Sequence, residues 1–320
     1  MSADRRLFLT TAALSGVFAA GYSKESFAAS QGETLPQANG KYRYCLNTST
    51  IRGQELGIEK EVDVAGQAGF DGIEPWIPTL RQFVENGGKL SDLQKRIADA
   101  GLSVESAIGF AQWIVDDEKQ RAAALEEAKR DMDMLRAIGG TRIAAPPVGA
   151  HQNDSPKIDL FVAAERFRVL QDLGDQMGVV PQLEVWGFSK NLSRLGEVMF
   201  VIGETGHPGA CLLLDIYHIF RGGSDFTGLS LFSDNVLQVF HVNDYPATPG
   251  RTELNDAHRV YPGDGIAPMS KILNAIGGPG REIVLSLELF NRDYWKQDPL
   301  EVARTGLSKM KAAVEAARTA

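Results

Sequence analysis

Short apolar runs alternate with longer, more polar segments along most of the chain, from about residue 41 onward. Each apolar run has the length of a buried strand, and the segment after it has the length and polarity of a surface helix. Strands are predicted at 42–46, at 69–76 with its end near Glu74, and at 102–107, 141–146, 179–185, 210–216, 235–242 and 282–289. Helices are predicted at 55–68, 90–100, 117–138, 160–177, 192–204, 268–276 and 299–317.

Eight strands that alternate with helices, with glycine at many helix ends, are typical of βαβ units and a parallel sheet. This count favours an α/β fold of the (β/α)8 TIM-barrel type, with one catalytic domain over residues 41–320. An open, doubly wound sheet is the alternative, but no G-x-G-x-x-G follows the first strand. The segment 243–265 is long for a connection after a strand, and such loops at the C-terminal face of a barrel usually carry function.

The first residues have a different pattern. Arg5 and Arg6 precede an apolar segment rich in small residues, and small residues recur near Ala28 and Ala29, where a signal peptidase could cut. This pattern predicts a secretory signal, and "RRLFL" resembles the twin-arginine export signal. We therefore expect residues 1–36 to be a signal peptide and tether, the mature protein to be periplasmic or otherwise exported, and no membrane insertion after processing.

Charge and composition narrow the range of partners. The 320 residues are 43% hydrophobic and 23% charged, with a net charge of −8, which is ordinary for a globular protein. The sequence has no basic stripe, so nucleic acid is not an expected partner. The two cysteines, Cys45 and Cys211, lie in apolar runs and are expected to be buried thiols rather than a disulfide framework.

The last four predicted strands each end in one polar group that could ligate a metal. A buried carboxylate without a partner is costly, and three close together would repel one another by several kcal/mol. A divalent cation removes that repulsion, and oxygen ligands with one nitrogen suit Mn²⁺, which we favour, or Mg²⁺, Co²⁺ or Zn²⁺. The predicted metal ligands are Glu184, Asp215, His241 and Glu288.

Four further residues are candidates for substrate binding. His218 follows Asp215 by three residues, where the chain is expected to leave the strand for a loop, and could donate a hydrogen bond to a substrate. Arg259 lies in the long loop and could stabilise a developing oxyanion, with a surface ion pair as the alternative. Trp186 and Trp113 follow predicted strands and could stack on a sugar face, with packing inside their loops as the alternative.

Together these residues resemble the xylose-isomerase-like superfamily of sugar isomerases and epimerases, in particular the ketose 3-epimerases and inosose isomerases. The resemblance covers residues 42–317 and rests on Glu184, Asp215 with His218, His241, and Glu288. The family element R-x-P-P-G-x-G is similar to "RVYPGDG" at 259–265, where tyrosine replaces the first proline.

The resemblance implies a mechanism and a class of substrate. One divalent ion would bind the four ligands together with a sugar carbonyl and hydroxyl, and would acidify the neighbouring C–H bond. Glu184 and Glu288 would then act as catalytic bases from opposite faces through a metal-bound enediolate, whose oxygens His218 and Arg259 would hold. An export signal fits an unphosphorylated sugar, keto-sugar or inositol derivative. Relatives are often homo-oligomers, so an oligomer is compatible with the resemblance.

Several alternatives remain open at this point. A metal-dependent lyase or dehydratase acting on a keto-sugar or 3-keto-glycoside would need the same site. Ketose 3-epimerases carry a second glutamate six residues after the first, where this chain has Lys190, so ketohexose 3-epimerase specificity is not predicted. An abasic-site endonuclease is disfavoured by the acidic charge. A non-catalytic sugar-binding protein is disfavoured by glutamate at both proposed base positions.

Overall fold

Eight parallel strands form the centre of the computed structural model, which describes residues 40–278 and 280–320. The strand order in the sheet is β3-β2-β1-β8-β7-β6-β5-β4. Ala107, just beyond β3, closes the sheet into a barrel: its amide donates to the Arg142 carbonyl (3.1 Å) and its carbonyl accepts from the Ala144 amide (2.8 Å), both on β4. The strands are β1 (Lys41–Asn47), β2 (Gly72–Glu74), β3 (Ser103–Val104), β4 (Arg142–Ala145), β5 (Val180–Glu184), β6 (Cys211–Asp215), β7 (Leu237–Val242) and β8 (Glu282–Leu287).

Helices follow the strands around the outside of the barrel, and the predicted (β/α)8 fold is confirmed. They are α1 (Ile58–Ala68), α2 (Ile77–Glu85), α3 (Leu90–Asp99), α4 (Glu118–Ala137), α5 (Leu160–Met177), α6 (Leu195–Glu204), α7 (Ile216–Gly222), α8 (Met269–Ile276) and α9 (Pro299–Thr319). In the described part of the chain, none of them is long and apolar enough to cross a membrane. The predicted signal and tether at 1–36 lie outside the described residues.

Two helices were not predicted, and both are short. α2 begins after Trp76 with Pro78 in its first turn, where a missing N–H costs nothing. α7 replaces the loop expected after β6. It begins directly after Asp215, whose Oδ1 accepts the His218 backbone N–H (2.8 Å) and so caps the helix.

The barrel interior is layered, because alternate residues of a strand point to the same face. Its lower layer is apolar and includes Cys45, Leu213, Val239 and Val284. The residues two positions further along these four strands point to the same face and are polar: Asn47, Asp215, His241 and Ser286. The C-terminal end of the barrel is therefore lined by buried polar groups above an apolar floor. Both cysteines are buried free thiols, as expected.

Candidate metal-binding active site

Three of the four predicted metal ligands lie together at the C-terminal ends of β6, β7 and β8. One donor atom from each of Asp215, His241 and Glu288 lies within 4.8 Å of the others, and all three residues are buried. The His241 Nδ1 atom is 3.1 Å from Glu288 Oε2 and 3.8 Å from Asp215 Oδ2. Burial opposes a charge on His241, but the carboxylates of Glu288 and Glu74 outweigh it and raise its pKa well above the ordinary value.

Glu184, the fourth predicted ligand, ends β5 beside this group but is not part of it. It is buried, and its Oε2 atom has no hydrogen-bond partner among the residues that the structure describes. Burial, followed by the neighbouring Glu288 carboxylate, raises the pKa of Glu184 to about 8. The opposite holds for Glu288: burial opposes ionisation, but His241 and Arg259 outweigh it and hold its pKa well below the ordinary range. The pKa values of the two glutamates are therefore shifted in opposite directions.

Arg259 links the long loop to this group and is fully buried, so the surface ion pair considered above is wrong. Its Nη1 atom donates to Asp215 Oδ2 and to Glu288 Oε2, each at 2.8 Å. Its Nη2 atom donates to Asp256 Oδ1 (2.6 Å). The guanidinium carbon lies 4.5 Å from the centre of the Tyr217 ring. The charge of Arg259 is thus held at the two carboxylates.

Asp244, which follows β7, anchors the loop that carries Arg259, and its role was not predicted. Its carboxylate accepts the backbone N–H groups of Gly263 (3.0 Å), Gly265 (3.1 Å) and Ala267 (2.9 Å). A Cβ at position 265 would lie 2.3 Å from Asp244 Oδ1, so only glycine lets the loop approach this closely. Asp244 also forms a backbone bridge with Val260, next to Arg259.

His218 lies on α7 and is buried beside Arg259. Its Nδ1 atom accepts the Gly187 backbone N–H (3.3 Å), and its Nε2 atom is 3.1 Å from Arg259 Nη2. Burial is the main cause that lowers the pKa of His218 to about 3, and the charge of Arg259 adds to it. His218 is therefore a buried neutral imidazole in contact with Arg259.

The two predicted tryptophans differ in position. Trp186 is partly exposed and lies 5.3 Å from Phe188, ring centre to ring centre. Trp113 is 1% exposed, donates through Nε1 to the Pro146 carbonyl (2.9 Å) and packs on Phe167. The predicted sugar contact of Trp113 is therefore replaced by a packing role, because its ring and its N–H are both used inside the core.

Further residues of the site were missed by sequence reasoning. Trp76 lies 5.1 Å from Phe110 and 5.8 Å from Phe290, ring centre to ring centre, and all three rings are partly exposed. Each follows the end of a predicted strand, and this position could have identified them. The buried polar residues that contact the predicted ligands were also missed: Asn47, Glu74, Asn243 and Ser286.

Comparison with known proteins identifies the family. Residues 62–313 match the sequence profile described as "Xylose isomerase-like TIM barrel". The chain belongs to this family. An inosose isomerase from Bacillus velezensis is 23% identical over 275 residues, which cover 85% of this chain and 97% of that protein. A 3-dehydroshikimate dehydratase from Pseudomonas putida is 20% identical over 260 residues, covering 79% of this chain and 39% of that longer protein.

Solved structures share the same barrel. An IolI protein with a bound zinc atom has a TM-score of 0.77 at 21% identity, covering 86% of this chain and 98% of its own. An L-ribulose 3-epimerase has a TM-score of 0.68 at 19% identity, covering 87% and 96%. The named relatives of this family are therefore enzymes, among them isomerases, an epimerase and a dehydratase.

The donor set fits a divalent metal on its own chemistry. Oxygen and imidazole donors are what Mn²⁺ and Zn²⁺ take in proteins. Within the described part of the chain, two of the buried donor atoms, His241 Nδ1 and Glu184 Oε2, have no hydrogen-bond partner. Such atoms are costly to bury unless something binds them.

Proposed function

We propose that this protein is a divalent-metal-dependent isomerase or epimerase of an unphosphorylated sugar, keto-sugar or inositol derivative. The observation that carries the proposal is the buried group of Asp215, His241 and Glu288, with Glu184 beside it at the catalytic end of a barrel. The inosose isomerase and epimerase relatives support the class of reaction.

Asp215, His241 and Glu288 would hold the metal, with Glu184 as a fourth ligand. Mn²⁺ is our first choice, and Zn²⁺ is the ion in one structural relative. When bound, the ion would polarise a substrate carbonyl and so acidify the adjacent C–H bond.

The protein's own groups would move the proton. Glu288, which accepts a hydrogen bond from Arg259 Nη1 (2.8 Å), would remove it as a carboxylate, and Glu184 would return one from its carboxyl on the opposite face. Arg259 and neutral His218 would hold the substrate oxygens; their nitrogen atoms lie 3.1 Å apart, and Arg259 contacts the proposed ligands Asp215 and Glu288.

A lyase or dehydratase acting on a keto-sugar or 3-keto-glycoside is the second candidate. The dehydratase relative supports it, because removal of a proton beside a ketone precedes both outcomes. The partly exposed rings of Trp76, Phe110 and Phe290 offer an apolar surface for a leaving group.

Incubation with inososes, keto-sugars and 3-keto-glycosides in D₂O with Mn²⁺ tests the proposal. Deuterium incorporation without loss of a group supports the isomerase, and release of water or aglycone supports the lyase. Glu184→Gln and Glu288→Gln should each reduce turnover by about 10²–10⁴. Asp131→Asn is the control, because this buried carboxylate pairs with Arg81 away from the site. Normal turnover in either glutamine variant would refute the mechanism.

We also propose export through the twin-arginine route, on the basis of Arg5 and Arg6. Replacing both with lysine should leave the protein in the cytoplasmic fraction of the producing cell, and unchanged fractionation would contradict the proposal.

A further inference from the structure

Glu74 lies beneath the metal-ligand group, and the proposed function gives it no role. It is the last residue of β2 and is fully buried. β2 is only three residues long and pairs with β1, so that Glu74 stands beside Asn47. Its side chain extends across the barrel interior to β7 and β8, where it contacts His241 and Ser286.

One oxygen of Glu74 accepts all the hydrogen bonds that this side chain makes with described residues. Ser286 Oγ donates to Oε2 at 2.6 Å, Asn47 Nδ2 at 2.9 Å, and His241 Nε2 at 2.9 Å. The other oxygen, Oε1, is buried and has no partner in residues 40–278 and 280–320. A buried carboxylate with one unpaired oxygen costs free energy that an apolar side chain would not. Packing alone therefore does not explain a glutamate here.

The contact with His241 fixes which ring nitrogen is free. Glu74 Oε2 is the acceptor for Ser286 and Asn47, and as the acceptor for His241 too it requires the hydrogen of this contact to lie on Nε2. A histidine that ligates a metal is neutral and has a single N–H, so its lone pair is then on Nδ1. Nδ1 is the atom that faces Asp215 and Glu288, at 3.8 and 3.1 Å.

We propose that Glu74 is a positioning residue for the metal site, which sets the tautomer and ring orientation of His241 so that Nδ1 is the ligand atom. Asn47 also holds Glu74 in position, because its Nδ2 atom donates to both Glu74 Oε2 (2.9 Å) and Glu288 Oε1 (3.2 Å). One amide thus ties the positioning carboxylate to a proposed ligand. The inference rests on the metal of the proposed function and assigns a role to a residue outside its ligand set.

Two variants separate positioning from simple stability. Glu74→Gln keeps an oxygen that can accept from His241 but loses the charge, whereas Glu74→Ala removes the acceptor. Asp131→Asn is the matched control: Asp131 is also a buried carboxylate, but it pairs with Arg81 on the outside of the barrel.

The test is a Co²⁺ titration of the full, EDTA-treated chain. Calorimetry measures the affinity, and visible absorption measures the coordination of the bound ion. Loss of a carboxylate that orients a metal-bound histidine weakens metal affinity about 10–100-fold. We expect the Kd for Co²⁺ to rise about 10-fold in Glu74→Gln and about 100-fold in Glu74→Ala, with an altered absorption band in the latter. Asp131→Asn should bind like wild type even where its melting temperature falls.

Wild-type affinity and an unchanged spectrum in Glu74→Ala would overturn the inference. Where Glu74→Ala does not fold, Glu74→Gln decides it by the same criterion. A wild-type chain that binds no Co²⁺ would instead refute the metal of the proposed function, so the two failures are distinguishable.

Discussion

Arg259 provides the sharpest test of the site's electrostatics, because one of its nitrogen atoms neutralises two proposed metal ligands. Its Nη1 atom lies 2.8 Å from Asp215 Oδ2 and 2.8 Å from Glu288 Oε2. Arg259→Met removes the charge and keeps much of the side chain's volume. We expect this variant to be less stable without metal and to gain more stability from metal than wild type does.

The structure gives the size of the effect. Donor atoms of Asp215 and Glu288 lie within 4.8 Å of each other. At that separation and an effective dielectric of about 20, two like charges repel by about 3.5 kcal/mol. This repulsion is similar in size to the cost of about 3–5 kcal/mol for removing one partner from a buried ion pair. We therefore expect Arg259→Met to lower the free energy of unfolding by about 3–5 kcal/mol in EDTA.

Urea unfolding in EDTA and in Mn²⁺ measures both parts of this prediction. A metal at about 100 times its Kd stabilises a folded protein by about 2.7 kcal/mol. The gain should be larger in Arg259→Met, because the metal would also relieve the repulsion between Asp215 and Glu288. Arg281→Met is the control: Arg281 is buried but pairs with the exposed Asp234, so its loss should cost about 1 kcal/mol.

Two results would refute this reasoning. One is an Arg259→Met variant that is no less stable in EDTA than Arg281→Met. The other is an equal gain from Mn²⁺ in wild type and Arg259→Met, which would mean that the arginine does not share its carboxylates with the metal.

Three further predictions follow from single groups. Burial raises the pKa of Glu61 from 4.5 to about 7, so the folded protein holds a proton that the unfolded chain releases. Stability should therefore fall by up to about 3 kcal/mol as pH rises through this window, and thermal unfolding of Glu61→Gln should lack this fall. Asp244→Ala should free the Arg259 loop, seen as faster limited proteolysis and lower kcat/KM; a protected loop would contradict this. Asp215→Asn should weaken Mn²⁺ binding, which calorimetry measures. His218→Asn should lower turnover, which kinetics measures, and should leave the metal affinity unchanged.

The sequence predicted the barrel because buried parallel strands are short apolar runs that stand out from the helices between them. The helix at 160–177 was predicted with the bounds that the structure has. α7 was missed for a specific reason. Asp215 and His218 were interpreted as functional, and functional residues suggest a loop. Yet Asp215 has two oxygens: Oδ1 caps α7, and Oδ2 faces Arg259.

The supporting residues of the site could not be predicted in the same way. Glu74 also ends a strand, but β2 is too short to give the apolar run that drew attention to β5 to β8. Its partner His241 is 167 residues away, and their contact depends on β1 and β8 pairing to close that part of the barrel. Trp113 was misassigned because a partly exposed and a buried tryptophan look alike after a predicted strand.

Strand register explains why the donors meet while Glu74 lies beneath them. Glu184 pairs with Leu213, two residues before Asp215; Asp215 pairs with His241; and His241 pairs with Ser286, two residues before Glu288. Relative to the strand pairing, each donor therefore lies further along its strand than the previous one by two residues from β5 to β6, by none from β6 to β7, and by two from β7 to β8.

An advance of about one residue per strand keeps groups in one plane across the tilted strands of an eight-stranded barrel. Beyond β8 this advance along the strands stops. Cys45 pairs with Ser286, so Asn47 lies level with Glu288, two residues further on each strand. Asn47 in turn pairs with Glu74. Over these two strand pairs the position does not advance, so Glu74 lies about two residues below the level of the four donors. Trp76, two residues further along the chain, lies at their level. The same tilt therefore places a carboxylate under His241 and an aromatic ring beside the substrate space.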